Sequence, residues 1–63
     1  MYNELDVIKT TVDKSLPKGS IGTIVSIYSS GPACEVEFLN KDGNTIAVET
    51  YEFSEITHAK IPK

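Results

Sequence analysis

The chain has 63 residues, 40% of them hydrophobic, and nine acidic side chains outnumber six lysines to leave a net charge of −3. That length holds a single domain, residues 1–63, with a thin core, because so short a chain buries only about 60% of the surface it exposes when unfolded. The lone cysteine, Cys34, excludes an internal disulfide and a cysteine-based zinc cluster, and the lack of arginine, the preferred ligand for phosphates and guanine edges, disfavours nucleic acid as a partner.

A first strand is expected at about residues 5–11, where Leu5, Val7 and Lys9 alternate with Asp6, Ile8 and Thr10. Residues 13–20 read as a long loop, with Pro17 and Gly19 placed where a turn wants them. Residues 20–28 are dense in β-branched and aromatic side chains and form the strongest strand signal. Gly22 inside that run signals a bulge or the close approach of another backbone, and Ser29-Ser30-Gly31-Pro32 ends the strand as a turn.

A third strand is expected over Ala33–Leu39, with Cys34, Val36 and Phe38 on one face and Glu35, Glu37 and Leu39 on the other. Two ionised carboxylates cannot lie unpaired in a core, so the Cys34 face points inward. Asn40-Lys41-Asp42-Gly43 follows as a turn whose glycine supplies positive φ. The fourth strand, residues 44–51, is expected to place Ile46 and Val48 inward and Thr45, Ala47, Glu49 and Tyr51 outward. Residues 52–56 suit a single helical turn, a short closing strand fits residues 56–60, and residues 61–63 are a loose end. The fold class is therefore all-β: a small SH3-like barrel of about five antiparallel strands, with one short helical turn before the last strand. A five-stranded oligonucleotide-binding barrel is the competing architecture, and it normally wants a longer chain and a helix.

Four segments carry a resemblance: Leu5-Asp6-Val7; Lys18-Gly19-Ser20-Ile21-Gly22-Thr23-Ile24-Val25; Glu35-Val36-Glu37-Phe38; and Asp42-Gly43-Asn44-Thr45-Ile46-Ala47-Val48. Together they resemble a small bacterial family known as a domain of unknown function. Its pattern runs from an LDVV-type start through G-x-x-G-T-V-V and Y-E-V-E-F to D-x-x-G-x-T. The resemblance covers residues 5 to about 56, and the chain departs from it at Cys34, where an aromatic is common. Similar G-x-x-G-T-V segments occur in small SH3-like subunits of photosystem I and nitrile hydratase and in KOW modules. Members of the family resemble the small partner of a toxin-like protein, which implies an antitoxin or immunity role.

Candidate chemistry is sparse. His58 is the only histidine and would act as a general base only if a carboxylate such as Glu55 oriented it; a surface histidine is the simpler expectation. Cys34 alternates with inward residues and neighbours a glutamate, so it reads as a small buried hydrophobe rather than a nucleophile. Gly19 and Gly22 lack the lysine-serine pair and helix of a phosphate loop. Lys9, Lys14 and Lys18 are diluted by Asp6 and Asp13 and read as solvated loop and strand residues. No acid, base and nucleophile converge, so no enzyme activity, cofactor or metal site is expected.

The remaining constellation is acidic. Glu35, Glu37 and Glu49 are expected on one outer face with Leu39 and Tyr51, and those five residues are the candidate partner-binding set. As metal ligands they are poorly placed, because alternate strand residues stand about 7 Å apart. As a docking face they suit a basic protein partner such as a toxin or nuclease. The alternatives are a KOW-like nucleic-acid or ribonucleoprotein module and a small structural subunit of a larger enzyme. With no basic and apolar leader at the N-terminus and no apolar run of about 20 residues, a cytoplasmic protein without a membrane segment is expected.

Overall fold

In the computed structural model, which describes residues 1–60, five strands form one antiparallel sheet: β1 (Val7–Thr10), β2 (Ile21–Ile27), β3 (Ala33–Leu39), β4 (Thr45–Glu52) and β5 (Ile56–His58). A 3₁₀ turn, Phe53–Glu55, leads into β5. The order across the sheet is β4-β3-β2-β1-β5, so β4 and β5 are its edges. The all-β class, the strand count and the helical turn before the last strand are as expected. The expected loose end at residues 61–63 lies outside the described residues, and among the described ones no helix is long and apolar enough to cross a membrane.

One core serves every strand. Ile8, Ile24, Cys34, Val36, Phe38, Tyr51 and Ile56 are buried together, and Tyr2, Val12, Leu16, Ile27, Ala47 and Phe53 pack against them. A single sheet that buries one face with no second sheet must curl around that face, which fits the right-handed twist of strands. Two bulges assist the curl: an extra residue at Val25 in the β2–β3 pairing, and one at Ile46 in the β3–β4 pairing.

Gly22 holds the closest packing of the core. It lies opposite Ile8 in the β1–β2 ladder, and a Cβ there would come within 2.5 Å of Val36 Cγ1 and 2.9 Å of the Phe38 ring. The expected bulge thus falls three residues later, and what crowds Gly22 is side chains rather than another backbone. Gly43, with φ of 85°, supplies the positive φ expected of the 40–43 turn. There Gly43 N–H donates to Asn40 O at 3.0 Å, and Asn40 Oδ1 accepts from the amides of Asp42 and Asn44.

The 11–20 loop is tied down by its own polar groups. Buried Thr10 donates its hydroxyl to Pro17 O (3.2 Å) and accepts from Ser20 N–H (3.1 Å), while Asp13 Oδ1 accepts from Lys18 N–H at 2.7 Å. This satisfies a polar side chain that burial would otherwise destabilise.

Before β1, Leu5 adopts φ of 74°, a left-handed conformation that costs an L-residue roughly 1–2 kcal/mol. Backbone bonds hold it there: Leu5 N–H donates to Ile24 O (2.7 Å), and Ile24 N–H to Asp6 O (2.9 Å). Its side chain is 77% exposed and gives little in return. Leu5→Gly is therefore expected to stabilise the fold by about 0.5–1 kcal/mol, the relieved strain less the chain entropy that glycine adds to the unfolded state. Urea denaturation of the two proteins measures it, and a lower midpoint for the variant would contradict the strain.

Candidate functional site on the outer sheet face

The outer face of β2, β3 and β4 is built around two carboxylates. Alternation along β3 turns Glu35 and Glu37 away from the core as Cys34, Val36 and Phe38 enter it. The register seats Glu35 between Ser26 and Thr50, and Glu37 between Thr23 and Val48. Hydroxyls hold both side chains. Thr50 Oγ1 donates to Glu35 Oε2 at 2.6 Å, Tyr28 OH donates to the same oxygen, and Thr45 Oγ1 donates to Glu37 Oε2 at 2.5 Å. The bonds from Thr50 and then Tyr28 favour the ionised form and hold Glu35 below the usual glutamate range.

Neither carboxylate meets a lysine among the described residues. Among the described residues the ion pairs are Lys14–Glu55 and His58–Asp6, so the negative charges of Glu35 and Glu37 face solvent uncompensated. Around them stand exposed apolar side chains: Ile21, Val25 and Tyr28 from the β2 side, Leu39 from β3, and Ile46 and Val48 from β4. Three of the expected docking residues, Glu35, Glu37 and Leu39, thus share one face.

The other two do not. Tyr51 is fully buried, and Glu49 lies on the same inner side of β4, while Ile46 and Val48, expected inside, are 55% and 52% exposed. The cause is the bulge. Leu39 pairs with Thr45 but Phe38 pairs with Ala47, so Ile46 is an extra residue and every later side chain of β4 changes face. A regular ladder would have put Ile46 opposite Phe38 and Val48 opposite Val36. The surface residues missed in the sequence had one readable signal. Residues 21–27 are apolar on both faces, in a chain too short to lay a second layer over the outer one.

On the inner side, the Tyr51 ring meets Phe38 edge-on with centroids 5.8 Å apart, and Lys14 Nζ sits 4.4 Å above its centre. Lys14 also donates to Thr50 O at 2.9 Å and pairs with Glu55 at 3.4 Å, so it clamps the long loop to β4 and is not a free basic group. The Tyr51 hydroxyl is buried without a hydrogen-bond partner among the described residues, and burial pushes its pKa up. An unsatisfied buried polar group costs about 1–3 kcal/mol. Tyr51→Phe is accordingly expected to raise stability by about 1 kcal/mol in thermal or urea unfolding, and a loss of that size would mean the hydroxyl has a partner.

His58 is not oriented by Glu55. Its Nε2 lies 3.3 Å from Asp6 Oδ2 and its ring stacks on Tyr2 at 4.4 Å, while Glu55 receives the Glu52 amide and Lys14. Cys34 is buried, and burial followed by the neighbouring Glu35 charge pushes its thiol pKa up, which disfavours the thiolate. Among the described residues no three His, Cys, Asp or Glu side chains converge to hold a metal ion.

Residues 4–58 match the family described as Domain of unknown function (DUF4926). The chain belongs to that family. The match takes in all five strands and the 3₁₀ turn, so the outer face is made wholly of residues within the family's span. No curated protein and no solved structure matches the chain.

Three carboxylates of this family member tie its stability to acid. Asp6 is held below its usual range by the Asn3 amide and by His58, Glu35 by Thr50 and Tyr28, and Glu55 by the Glu52 amide and Lys14. A folded pKa below the unfolded one contributes stability that is present above the unfolded value, about 4, and lost as pH falls through the folded value. Raised Cys34 and Tyr51 act oppositely, removing stability as pH climbs past their unfolded values of about 8.5 and 10. The urea midpoint is expected to be flat near neutrality, to fall below about pH 4, and to fall again above about pH 8.5. A midpoint that rose on acidification would contradict these shifts.

Proposed function

We propose that the chain is a non-catalytic docking module of the antitoxin or immunity type, which occludes a basic surface of a partner protein with the outer face of β2–β4. The observation that carries this reading is the pair Glu35 and Glu37, held by hydroxyls and unpaired with any described lysine, inside a ring of exposed Ile21, Val25, Tyr28, Leu39, Ile46 and Val48. Such a face joins the apolar area that drives association to charges that select and steer a cationic partner. Because the carboxylates are already oriented, little rotamer entropy is lost on binding. The resemblance to small partners of toxin-like proteins supports the immunity role, and the absence of arginine weighs against nucleic acid.

The test is co-expression with the product of the adjacent open reading frame, followed by co-purification at low and high salt. The expected result is a one-to-one complex that survives high salt through its apolar contacts but forms more slowly there. No association at either salt, or salt-sensitive retention of RNA in place of protein, would overturn it.

A further inference from the structure

We propose that the chain pairs with a second copy of itself through the free edge of β4, in a two-fold antiparallel arrangement centred on Val48. This goes beyond the docking face, since it uses backbone groups that lie in the plane of the sheet.

In an antiparallel ladder, alternate residues direct their N–H and C=O groups toward the neighbouring strand and away from it. Phe53 N–H donates to Pro32 O at 2.8 Å, which sets the odd-numbered residues of the β4 line toward β3. The even-numbered ones face outward: Lys14 Nζ reaches Thr50 O at 2.9 Å, and the Glu52 amide donates to Glu55 Oε1 at 2.9 Å. These two bonds cap the C-terminal half of the edge. Val48 has no such cap among the described residues, so its N–H and C=O stand open, with the Thr50 N–H beside them. An open edge with β-branched side chains and no proline or lysine in the strand is a template for another strand.

Three features leave one two-fold register. Centring on Glu49 would set Glu49 directly against its equivalent, a like-charge pair that opposes pairing. Centring on Thr50 would put the carbonyl capped by Lys14 at the axis with the Glu55-capped Glu52 amide in the paired stretch, and centring before Val48 would put the Ile46 bulge at the axis or next to it. About Val48, the two valines exchange both backbone bonds and Glu49 comes opposite Ala47, while the bulged Ile46 and the Lys14-capped Thr50 of the second copy meet only at the two ends of the pairing. No like charges meet. The Glu37 side chains lie three strand spacings apart, about 14 Å, beyond the physiological screening length of about 8 Å. The exposed Ile46 and Val48 of both copies then adjoin across the seam. With so short a stretch the dimer is weak, of the transient class that small interfaces form, with a Kd on the order of 1 mM or below.

Sedimentation equilibrium of the purified chain tests this directly. The wild type is expected to shift from monomer to dimer as its concentration approaches that value, while Val48→Pro and Val48→Lys remain monomeric with unchanged thermal unfolding. Val48 N–H takes no part in the chain's own ladder, so proline there removes no internal bond. Should Val48→Pro fail to fold, exchange of the wild-type Val48 amide decides: its protection should rise about tenfold or more from dilute to concentrated solution. A wild type that stays monomeric at about 2 mM, a Val48→Lys variant that dimerises as the wild type does, or concentration-independent exchange at Val48 would each overturn the proposal.

Discussion

Gly22→Ala is expected to destabilise the fold by about 3 kcal/mol, the upper part of the range for overpacking a core. The added methyl would stand 2.5 Å from Val36 Cγ1 and 2.9 Å from two atoms of the Phe38 ring, and neither neighbour has open space to enter. Both are fully packed β3 residues whose displacement would carry Glu35 and Glu37 with them. A domain this small has only about 3–5 kcal/mol of stability, so Gly22→Val, with two more methyls, is expected not to fold. The cause can be isolated. Val36→Ala alone loses about 2 kcal/mol of burial and cavity energy, yet it removes the nearest clashing atom. The Gly22→Ala/Val36→Ala pair is therefore expected to cost about 1–2 kcal/mol less than the sum of the singles. Rescue stays partial because the Phe38 ring remains. Urea denaturation of the three variants completes the cycle, and strict additivity would show that the strain lies elsewhere.

The G-x-x-G segment shows how far local chemistry carries. Gly19, with φ of 91° and no atom near its missing Cβ, is a backbone requirement that turn preferences expose from sequence. Gly22 is a packing requirement, and only the pairing of β2 with β3 reveals which atoms impose it. β3 was fully legible for the same reason as Gly19: Glu35 and Glu37 alternate with Cys34, Val36 and Phe38, and charge decides the face within the strand itself. β4 was not. Its side chains, Ile46-Ala47-Val48-Glu49-Thr50-Tyr51, satisfy alternation in either sense, and the deciding feature is one extra residue against β3. A bulge is a relation between two strands and leaves no mark that one strand carries alone. Burying Tyr51 sets its ring edge-on against Phe38, at the expense of two surface aliphatics and an orphaned hydroxyl. That exchange created the apolar ring around Glu37, so the same bulge that hid the site from sequence also built it.

Reversing the charge of that site is the second large effect expected. Glu35→Lys/Glu37→Lys should weaken association with the partner about a hundredfold or more, since losing one member of a desolvated charge pair costs about 2–5 kcal/mol and two like charges then face the partner's cations. Net charge alone would predict that any carboxylate serves equally, and Glu49 separates the two ideas. It stands one ladder position from Glu35 and Glu37, opposite Val36, but on the inner side of β4. Glu49→Gln should leave the affinity unchanged, whereas Glu35→Gln/Glu37→Gln, which removes charge from the outer face without repulsion, should weaken it by about 2 kcal/mol or more. Thr50→Val and Thr45→Val together with Tyr28→Phe keep both charges and release their hydroxyl clamps, so a smaller loss of about 1 kcal/mol is expected from freed rotamers. Calorimetric titration of each variant against the co-purified partner gives the ranking. A Glu49→Gln loss equal to that of the Glu35/Glu37 pair would place the contact on the opposite side of the sheet, and the outer face would then have no role in recognition.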